Sequence, residues 1–111
     1  MDPAKYDITI HQGATFELPL QYVDSSDTPV NMSGYTVEAK LYNRFNNQKL
    51  ADFGFSWDVQ ASGLFRLELA NTVTSGITEQ GCYDVLVTDP DGDKQYLLEG
   101  IAFLNPGVSY R

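Results

Sequence analysis

The sequence is short of the residues that build disulfides, catalytic triads and metal centres. It has one cysteine, Cys82, and one histidine, His11, among 111 residues. One cysteine excludes an intrachain disulfide, and one histidine without a cysteine, serine or paired acid at a suitable distance builds neither a triad nor a tetrahedral metal site. We expect His11 to be a surface residue of a strand, Cys82 to be a structural thiol that faces away from the core, and the protein to be a non-enzyme without metal or cofactor.

Basic residues are also scarce. Seven Lys and Arg stand against fifteen Asp and Glu, which gives a formal net charge of -8. Such a surface repels nucleic-acid phosphates and anionic membranes, so neither is expected as a direct partner. The sequence has no apolar run of about 18 residues and no basic N-terminal region followed by an apolar stretch. It therefore predicts a soluble protein without a secretion signal.

Aromatic residues, by contrast, are plentiful, and apolar residues, many of them aromatic, alternate with polar ones along several segments. The chain has seven Tyr, six Phe and one Trp but only two Met, a balance that favours strands. Period two is typical of half-buried strands, and the predicted inward residues are Tyr6, Ile8 and Ile10; Phe16, Leu18, Leu20 and Tyr22; Val37, Ala39 and Leu41; Phe53, Phe55 and Trp57; Phe65, Leu67 and Leu69; and Tyr83, Val85 and Val87.

Turn residues separate these runs. The segment DSSDTP (24–29) predicts a loop, RFNNQK (44–49) predicts a break, and DPDGD (89–93) predicts a hairpin turn that needs Asp side-chain bonds and a glycine with positive φ. Pro19 cannot donate to a strand ladder, which places it at an edge or a bulge. Residues 71–80 lack a strand period and predict a short helical turn capped by Asn71 or Thr72.

The last strand changes the parity of its inward residues. Tyr96 and Leu98 alternate with one phase and Ile101 and Phe103 with the other, which predicts a β-bulge around Glu99 and Gly100. About seven strands with regular turn signals predict an all-β fold, an antiparallel immunoglobulin-like β-sandwich. With no internal repeat and no linker, residues 1–111 form one domain with short flexible termini.

Two groups of side chains remain as candidates for function. Asp89, Asp91 and Asp93 resemble a calcium loop in their spacing, but Lys94 and Gly100 occupy the positions where such a loop needs glycine and a bidentate acid. The alternation leaves large side chains facing outward on strands, where they mark a binding patch. The predicted interface residues are Tyr42, Phe45 and Leu64.

Three stretches resemble the N-terminal domains of bacteriophage upper-baseplate and receptor-binding-protein attachment proteins. They are HQGATFELPLQYVDSSDTPVNMSGYTVEAKL, ASGLFRLELANTVTSGITEQGCYDVLVTDPDGDKQYLLEG and GIAFLNPGVSYR, which together cover nearly all of the chain. The resembling positions are architectural and carry over no catalytic residue. The resemblance implies that Gly34 and Tyr35 start a core strand and that Gly81 and Tyr83 form a tyrosine corner.

The resemblance implies a virion structural protein, made in the host bacterial cytoplasm. Its expected partners are other virion proteins of the tail, baseplate or tail fibre, with self-association in the particle as a further option. The same fold fits a capsid decoration protein. An alternative of another class is a small carbohydrate-binding or ligand-binding module, which would use Trp57 and surface tyrosines to stack against sugar rings and therefore needs Trp57 exposed.

Overall fold

The computed structural model describes residues 3–43 and 48–109. Their secondary structure consists of nine strands, one short α-helix and a 3₁₀ turn at Gln60–Ser62. In chain order the elements are β1 (Ala4–Lys5), β2 (Ile8–His11), β3 (Phe16–Gln21), β4 (Thr36–Asn43), β5 (Gln48–Asp52), β6 (Gly54–Val59), β7 (Leu64–Leu69), α1 (Asn71–Thr74), β8 (Gly81–Thr88) and β9 (Lys94–Asn105). None of the described helices is long and apolar enough to cross a membrane.

The strands form two sheets that pack face to face as a sandwich. The large sheet has the order β1-β9-β8-β4-β5, with β2 also paired to β9, and the small sheet has the order β3-β7-β6. Pairing is antiparallel except that β1 and β2 run parallel to β9. The predicted β-sandwich is thus confirmed, with nine strand segments in place of about seven.

The core lies between the two sheets and is built by the alternating residues. Phe65, Leu67 and Leu69 of β7 and Val85 of β8 are at most 2% exposed, because these strands are central and both neighbours cover them. The predicted inward residues of β3, β4 and β8 also face or pack against this core. Pro19 lies in β3, an edge strand of the small sheet, as predicted.

The first predicted strand is divided into β1 and β2, and the prediction that Tyr6 faces inward is wrong. Tyr6 and Asp7 interrupt β1 and β2 opposite Gly100, and the Tyr6 side chain is 54% exposed instead of inward. A Cβ on Gly100 would lie 2.1 Å from the Tyr6 carbonyl oxygen. Glycine at position 100 therefore permits the close approach of the N-terminal segment, which is fixed there by the Tyr83 hydroxyl donating to the same carbonyl.

That hydrogen bond is the counterpart of the predicted tyrosine corner. The Tyr83 phenol does bind the backbone, but its acceptor is 77 residues upstream, not in the adjacent arch. Burial raises the pKa of Tyr83 to about 12, since the phenolate would lose hydration inside the sandwich. Gly34 has φ 81° and β4 begins at Thr36, so the predicted strand start is confirmed within two residues.

The bulge in β9 exists but lies two residues before the predicted position. The register of β8 with β9 shifts between Val85 and Leu86, which leaves Leu97 as the extra residue. The inward residues beyond it are Leu98, Gly100 and Ala102, and the predicted inward residues Ile101 and Phe103 are 44% and 41% exposed. The prediction was wrong because the parity of every residue after a bulge depends on where the bulge lies.

Residues 48–60 also differ from the prediction. Gln48 and Lys49, expected in a break, begin β5, whereas 44–47 of that break lie outside the described residues. Phe53 carries the chain from β5 in the large sheet to β6 in the small one, so the segment expected to be a single strand belongs to two sheets. Phe53 itself is buried at the crossing.

The predicted turns are present, and the predicted helix cap is not. Asp89 Oδ1 accepts hydrogen bonds from the amides of Asp91 and Asp93, and Gly92 has φ 90°. Helix α1 has Ala70 as its N-cap, with no side-chain cap from Asn71 or Thr72. Instead the buried Thr74 hydroxyl donates to the Ala14 carbonyl, which fastens the helix to the loop before β3.

Candidate functional site

The outer face of the small sheet is polar, and its charged groups are bonded to one another. Arg66 lies at its centre, with Nη2 2.7 Å from Asp58 Oδ1 and Nη1 3.3 Å from Glu17 Oε2. Glu68 accepts a 2.8 Å hydrogen bond from Ser56 Oγ. The surrounding carboxylates raise the pKa of Arg66, chiefly through the Asp58 hydrogen bond. This face is therefore tied across all three strands by its own side chains.

The outer face of the large sheet is different, because large apolar side chains stand on it without cover. Tyr96, Ile101 and Phe103 of β9 are 49%, 44% and 41% exposed. Cys82 lies between Ile101 and Tyr42 in the register of β9, β8 and β4, and Leu86 pairs with Tyr96. We call Tyr42, Cys82, Leu86, Tyr96, Ile101 and Phe103 the apolar face.

A row of charges crosses the apolar face between its two ends. Cross-strand pairing places Glu99 beside Asp84, with Lys40 on the far side of Asp84. Partial burial and the neighbouring Glu99 raise the pKa of Asp84, while Lys40 opposes the shift. A shallow depression of about 450 Å³ lies over this row, and its lining includes Tyr42, Tyr96, Asp84 and Glu99.

The predicted interface residues are distributed over opposite sides of the sandwich. Tyr42 faces outward from the large sheet, and Leu64 faces outward from the small sheet, where it pairs with Gln21 and Val59. Their outward orientation agrees with the sequence pattern, but the structure does not bring them together. Phe45 lies outside the described residues. Their role in an interface stays a prediction.

The sequence pattern missed the residues that contribute most to the apolar face. The alternation predicts that Tyr96, Ile101 and Phe103 face inward, and all three are exposed instead. One signal was available: Gly100 and Ala102 are small, which suits the side of β9 that the N-terminal segment approaches closely. Reading those small residues as inward would have turned Ile101 and Phe103 outward.

The remaining candidate side chains have structural partners. His11 is exposed in β2 and its Nδ1 lies 3.1 Å from Asn105 Nδ2, and Cys82 is a partly buried thiol opposite in direction to Tyr83. The Asp89 carboxylate is engaged by its own turn. Among residues 3–43 and 48–109, no three His, Cys, Asp or Glu side chains come together in a group that could hold a metal ion.

Strand β6 is an edge of the small sheet, and two of its aromatic side chains are incompletely covered. Phe55 and Trp57 face inward opposite Leu67 and Phe65, yet Phe55 is 38% exposed and Trp57 is half-buried. The two rings meet edge to face, with centroids 5.3 Å apart, and Trp57 also contacts Phe65 at 6.1 Å. These aromatic side chains lie at the open flank of the sandwich.

No family model matches the chain, and no curated protein matches it. Among solved structures it is similar to a chain in the crystal structure of ICOS in complex with ICOS-L and an anti ICOS-L VNAR domain, at a TM-score of 0.55 and 11% identity over 93% of this chain. The chain spans 56% of the length of that one.

The chain is also similar to the Lin-41 filamin domain, at a TM-score of 0.47 and 9% identity, over 89% of this chain and 84% of that chain. At 11% identity, the likeness to the chain in the ICOS crystal structure shows the fold alone. The chain is an immunoglobulin-like β-sandwich.

Proposed function

We propose that this immunoglobulin-like sandwich is a non-enzymatic structural protein of a bacteriophage virion, bound to tail, baseplate or tail-fibre components. The observation that carries the proposal is the apolar face. Three of its side chains, Tyr96, Ile101 and Phe103, are each more than 40% exposed although they lie on one strand. Large apolar side chains exposed together on one sheet face are typical of a surface that another protein covers.

The apolar face is not needed to complete the core of the domain. The inner side of the same strands is filled by residues such as Val85 and Ala102, each at most 2% exposed. Burying apolar surface against a partner releases about 25 cal/mol per Å² before the costs of association are subtracted. The large aromatic rings of Tyr96 and Phe103 are the types that dominate such interfaces.

The resemblance of nearly the whole chain to phage attachment domains supports placing that partner in a virion. It favours the tail over the head, and the capsid-decoration alternative uses the same face against the coat lattice. The charges across the face supply orientation, since Asp84 and Glu99, which lie beside Lys40 and Lys5 in the free protein, would interact with charged side chains of the neighbour. Catalysis has no part in this proposal.

The test is the position of the protein in purified phage particles. Particles are labelled with an antibody against this chain and imaged by electron microscopy. Label on the tail or its fibres supports the proposal, whereas label over the whole head supports decoration instead. Particles that contain none of the protein would contradict a virion role.

A pair of variants tests whether the apolar face attaches the protein to the particle. Ile101→Asp should abolish incorporation, because it places a charge in the buried centre of the interface. Val73→Asp is the matched control, since Val73 is 41% exposed but lies on α1, away from that face. Equal incorporation of the two variants would exclude the apolar face as the attachment surface.

The depression on the large sheet favours a second candidate, the ligand-binding module. Tyr42 and Tyr96 stand on its lining with the carboxylates of Asp84 and Glu99, a combination that can stack against and hydrogen-bond a sugar. The predicted stacking residue Trp57 is elsewhere, and its ring is engaged by Phe55 and Phe65. Saturable binding on a glycan array that is lost in Tyr96→Ala would favour this candidate.

A further inference from the structure

We infer that the free edge of β6 receives an extended segment of a partner protein in which apolar and basic residues alternate. The segment adds a fourth strand to the small sheet, beside Phe55 and Trp57. This inference deepens the proposed function and rests on it in one respect, namely that the chain binds other proteins. It names the edge and the chemistry of the partner.

The edges of the two sheets differ in how well they are protected against strand addition. Edge strands are normally blocked by proline, lysine, bulges or shortness. In the described part of the chain, β3 carries Pro19, β5 carries Lys49 and a bulge, and β1 has two residues. The inward Ile8 and Ile10 of β2 are already buried, so a strand added there would cover no exposed apolar side chain of β2.

Strand β6 lacks these devices over its first part. It has six residues without proline or lysine, and its register with β7 is regular from Gly54 to Trp57, before the irregularity near Asp58. An edge strand has backbone N–H and C=O groups on the side away from its neighbour. These groups are the template on which a further strand would pair.

The inward side chains of β6 are also less covered than those of its neighbour. Phe65 and Leu67 of β7 are each 1% exposed, whereas their cross-strand partner Phe55 is 38% exposed and Trp57 is half-buried. An added strand would carry its own inward residues over these two rings. The segment therefore needs apolar residues at alternate positions, so that they continue the core past the present edge.

The charges near this edge determine which residues are favoured at the outward positions of the added strand. On the outer face of the small sheet, Glu17, Asp58 and Glu68 share the single cation of Arg66. Asp58 belongs to β6 itself, so an added strand would present its outward residues to this carboxylate. Lysine or arginine is favoured there, and acidic residues are repelled.

The negative charge of this chain disfavours a second copy of it as the occupant of the β6 edge. Two copies would each bring a formal net charge of -8, and antiparallel pairing of β6 with itself would bring a second Asp58 to the same edge. Like charges in close apposition oppose association. A basic partner relieves the excess of negative charge, which a second copy would increase.

The experiment uses the full chain and a short synthetic peptide in which Val alternates with Lys or Arg. Trp57 is the only tryptophan, so its fluorescence reports on this edge when the peptide itself has no aromatic residue. Strand addition should bury the indole and shift its emission to shorter wavelength in a saturable titration. Hydrogen exchange should show new protection at amides of residues 54–57.

Two variants and two control peptides isolate the edge. Phe55→Lys puts a charge inward at an edge, the device that natural proteins use against pairing, and should weaken peptide binding at least about tenfold, equivalent to 1.4 kcal/mol. Tyr6→Lys is the matched control, because Tyr6 is a 54% exposed aromatic beside the other sheet, and this variant should bind normally. A peptide with a central proline, and one with Glu in place of Lys and Arg, should both fail to bind.

Each contrary outcome overturns the inference at a particular step. Retained binding of the proline peptide would mean a contact without backbone pairing, and equal binding of the Glu peptide would remove the charge argument. Loss of binding in Tyr6→Lys but not in Phe55→Lys would mean that the peptide binds beside the large sheet and not at the β6 edge. If no peptide shifts Trp57 while the protein is still found in particles, the edge inference fails and the proposed function stands.

Discussion

The outer faces of the two sheets are built on opposite principles. On the small sheet, the polar side chains bond to each other, with Arg66 contacting Asp58 and Glu17 on the two flanking strands. On the large sheet, side chains such as Ile101 and Tyr96 are largely apolar and contact no covering layer, although the inner side of the same sheet is closed by residues such as Val85. Both faces belong to the same sandwich and are exposed to the same solvent, so solvent alone does not explain the difference.

This difference distinguishes the side chains that stabilise the fold from the exposed side chains that it does not need. The large sheet is fixed from its inner side, by its core and by the buried Tyr83 hydrogen bond that ties the N-terminal segment to β8. The small sheet has three strands, two of them edges, and is fixed in part by charges on its outside. The outer residues of the large sheet are therefore free to serve binding without loss of stability.

Removing the hydrogen-bonded inner support of the large sheet is expected to have a larger effect than changing either outer face. Tyr83→Phe leaves the ring in the core but leaves the Tyr6 carbonyl without this donor, and we expect a loss of about 1 to 2 kcal/mol in the free energy of unfolding. Urea denaturation at pH 7 measures this loss. An unchanged midpoint would show that water replaces the phenol and that the large sheet does not depend on this bond.

Burial of the same phenol gives the stability of the protein a pH dependence whose sign can be worked out. The folded pKa of Tyr83, about 12, exceeds its ordinary value of 10.0, so the folded state holds its proton more tightly than the unfolded state. The resulting stability is fully present below pH 10 and is lost as the pH rises toward 12. Over that window the stability of Tyr83→Phe should fall less steeply than that of the natural chain.

A smaller and salt-dependent effect is expected on the small sheet. Arg66→Met removes the cation shared by three carboxylates and should lower the free energy of unfolding only slightly at low ionic strength, because these pairs are partly exposed. The cost should shrink in 1 M NaCl, where the Debye length is about 3 Å. Lys40→Met on the large sheet is the control. If it lowers the free energy of unfolding as much as Arg66→Met does, charges stabilise the two outer faces equally.

The sequence pattern predicted the central strands well and the flanks poorly, for a physical reason. Where a strand has a neighbour on each side, as β7 does, each inward residue such as Phe65 is fully covered and the period of two is unbroken. Local chemistry also sufficed for the DPDGD turn, whose Asp89 side chain and Gly92 form it without distant partners.

The flanks depend on contacts between segments far apart in the chain. The orientation of Ile101 follows from a bulge at Leu97, and Tyr6 turns outward where its carbonyl approaches Gly100. The alternation of residues 96–103 indicates that a bulge is present but not where it lies, and the alternation of residues 6–10 gives no sign that Tyr6 turns outward. For the same reason the outward direction of Tyr42 and Leu64 was predictable from alternation, whereas the composition of the apolar face required knowledge of the register of β9.

The smallest effect on stability is expected on the apolar face. Ile101→Thr keeps a β-branched residue in β9 but replaces a methylene-containing branch with a hydroxyl, and since the side chain is 44% exposed the free energy of unfolding should change by less than about 0.5 kcal/mol. Val85→Thr is the matched control on the inner side of the adjacent strand. Val85 is 0% exposed, so burying a hydroxyl there should cost about 1 to 3 kcal/mol.

The two substitutions add the same polar group on opposite sides of one sheet, which makes their ratio informative. A large loss for Ile101→Thr would mean that the apolar face stabilises the isolated domain and is not spare surface. A small loss combined with reduced incorporation into particles would mean that the apolar contacts of this face are made only in the assembly. In that case the exposure of Ile101, Phe103 and Tyr96 is a property of the free domain, and their burial belongs to the bound state.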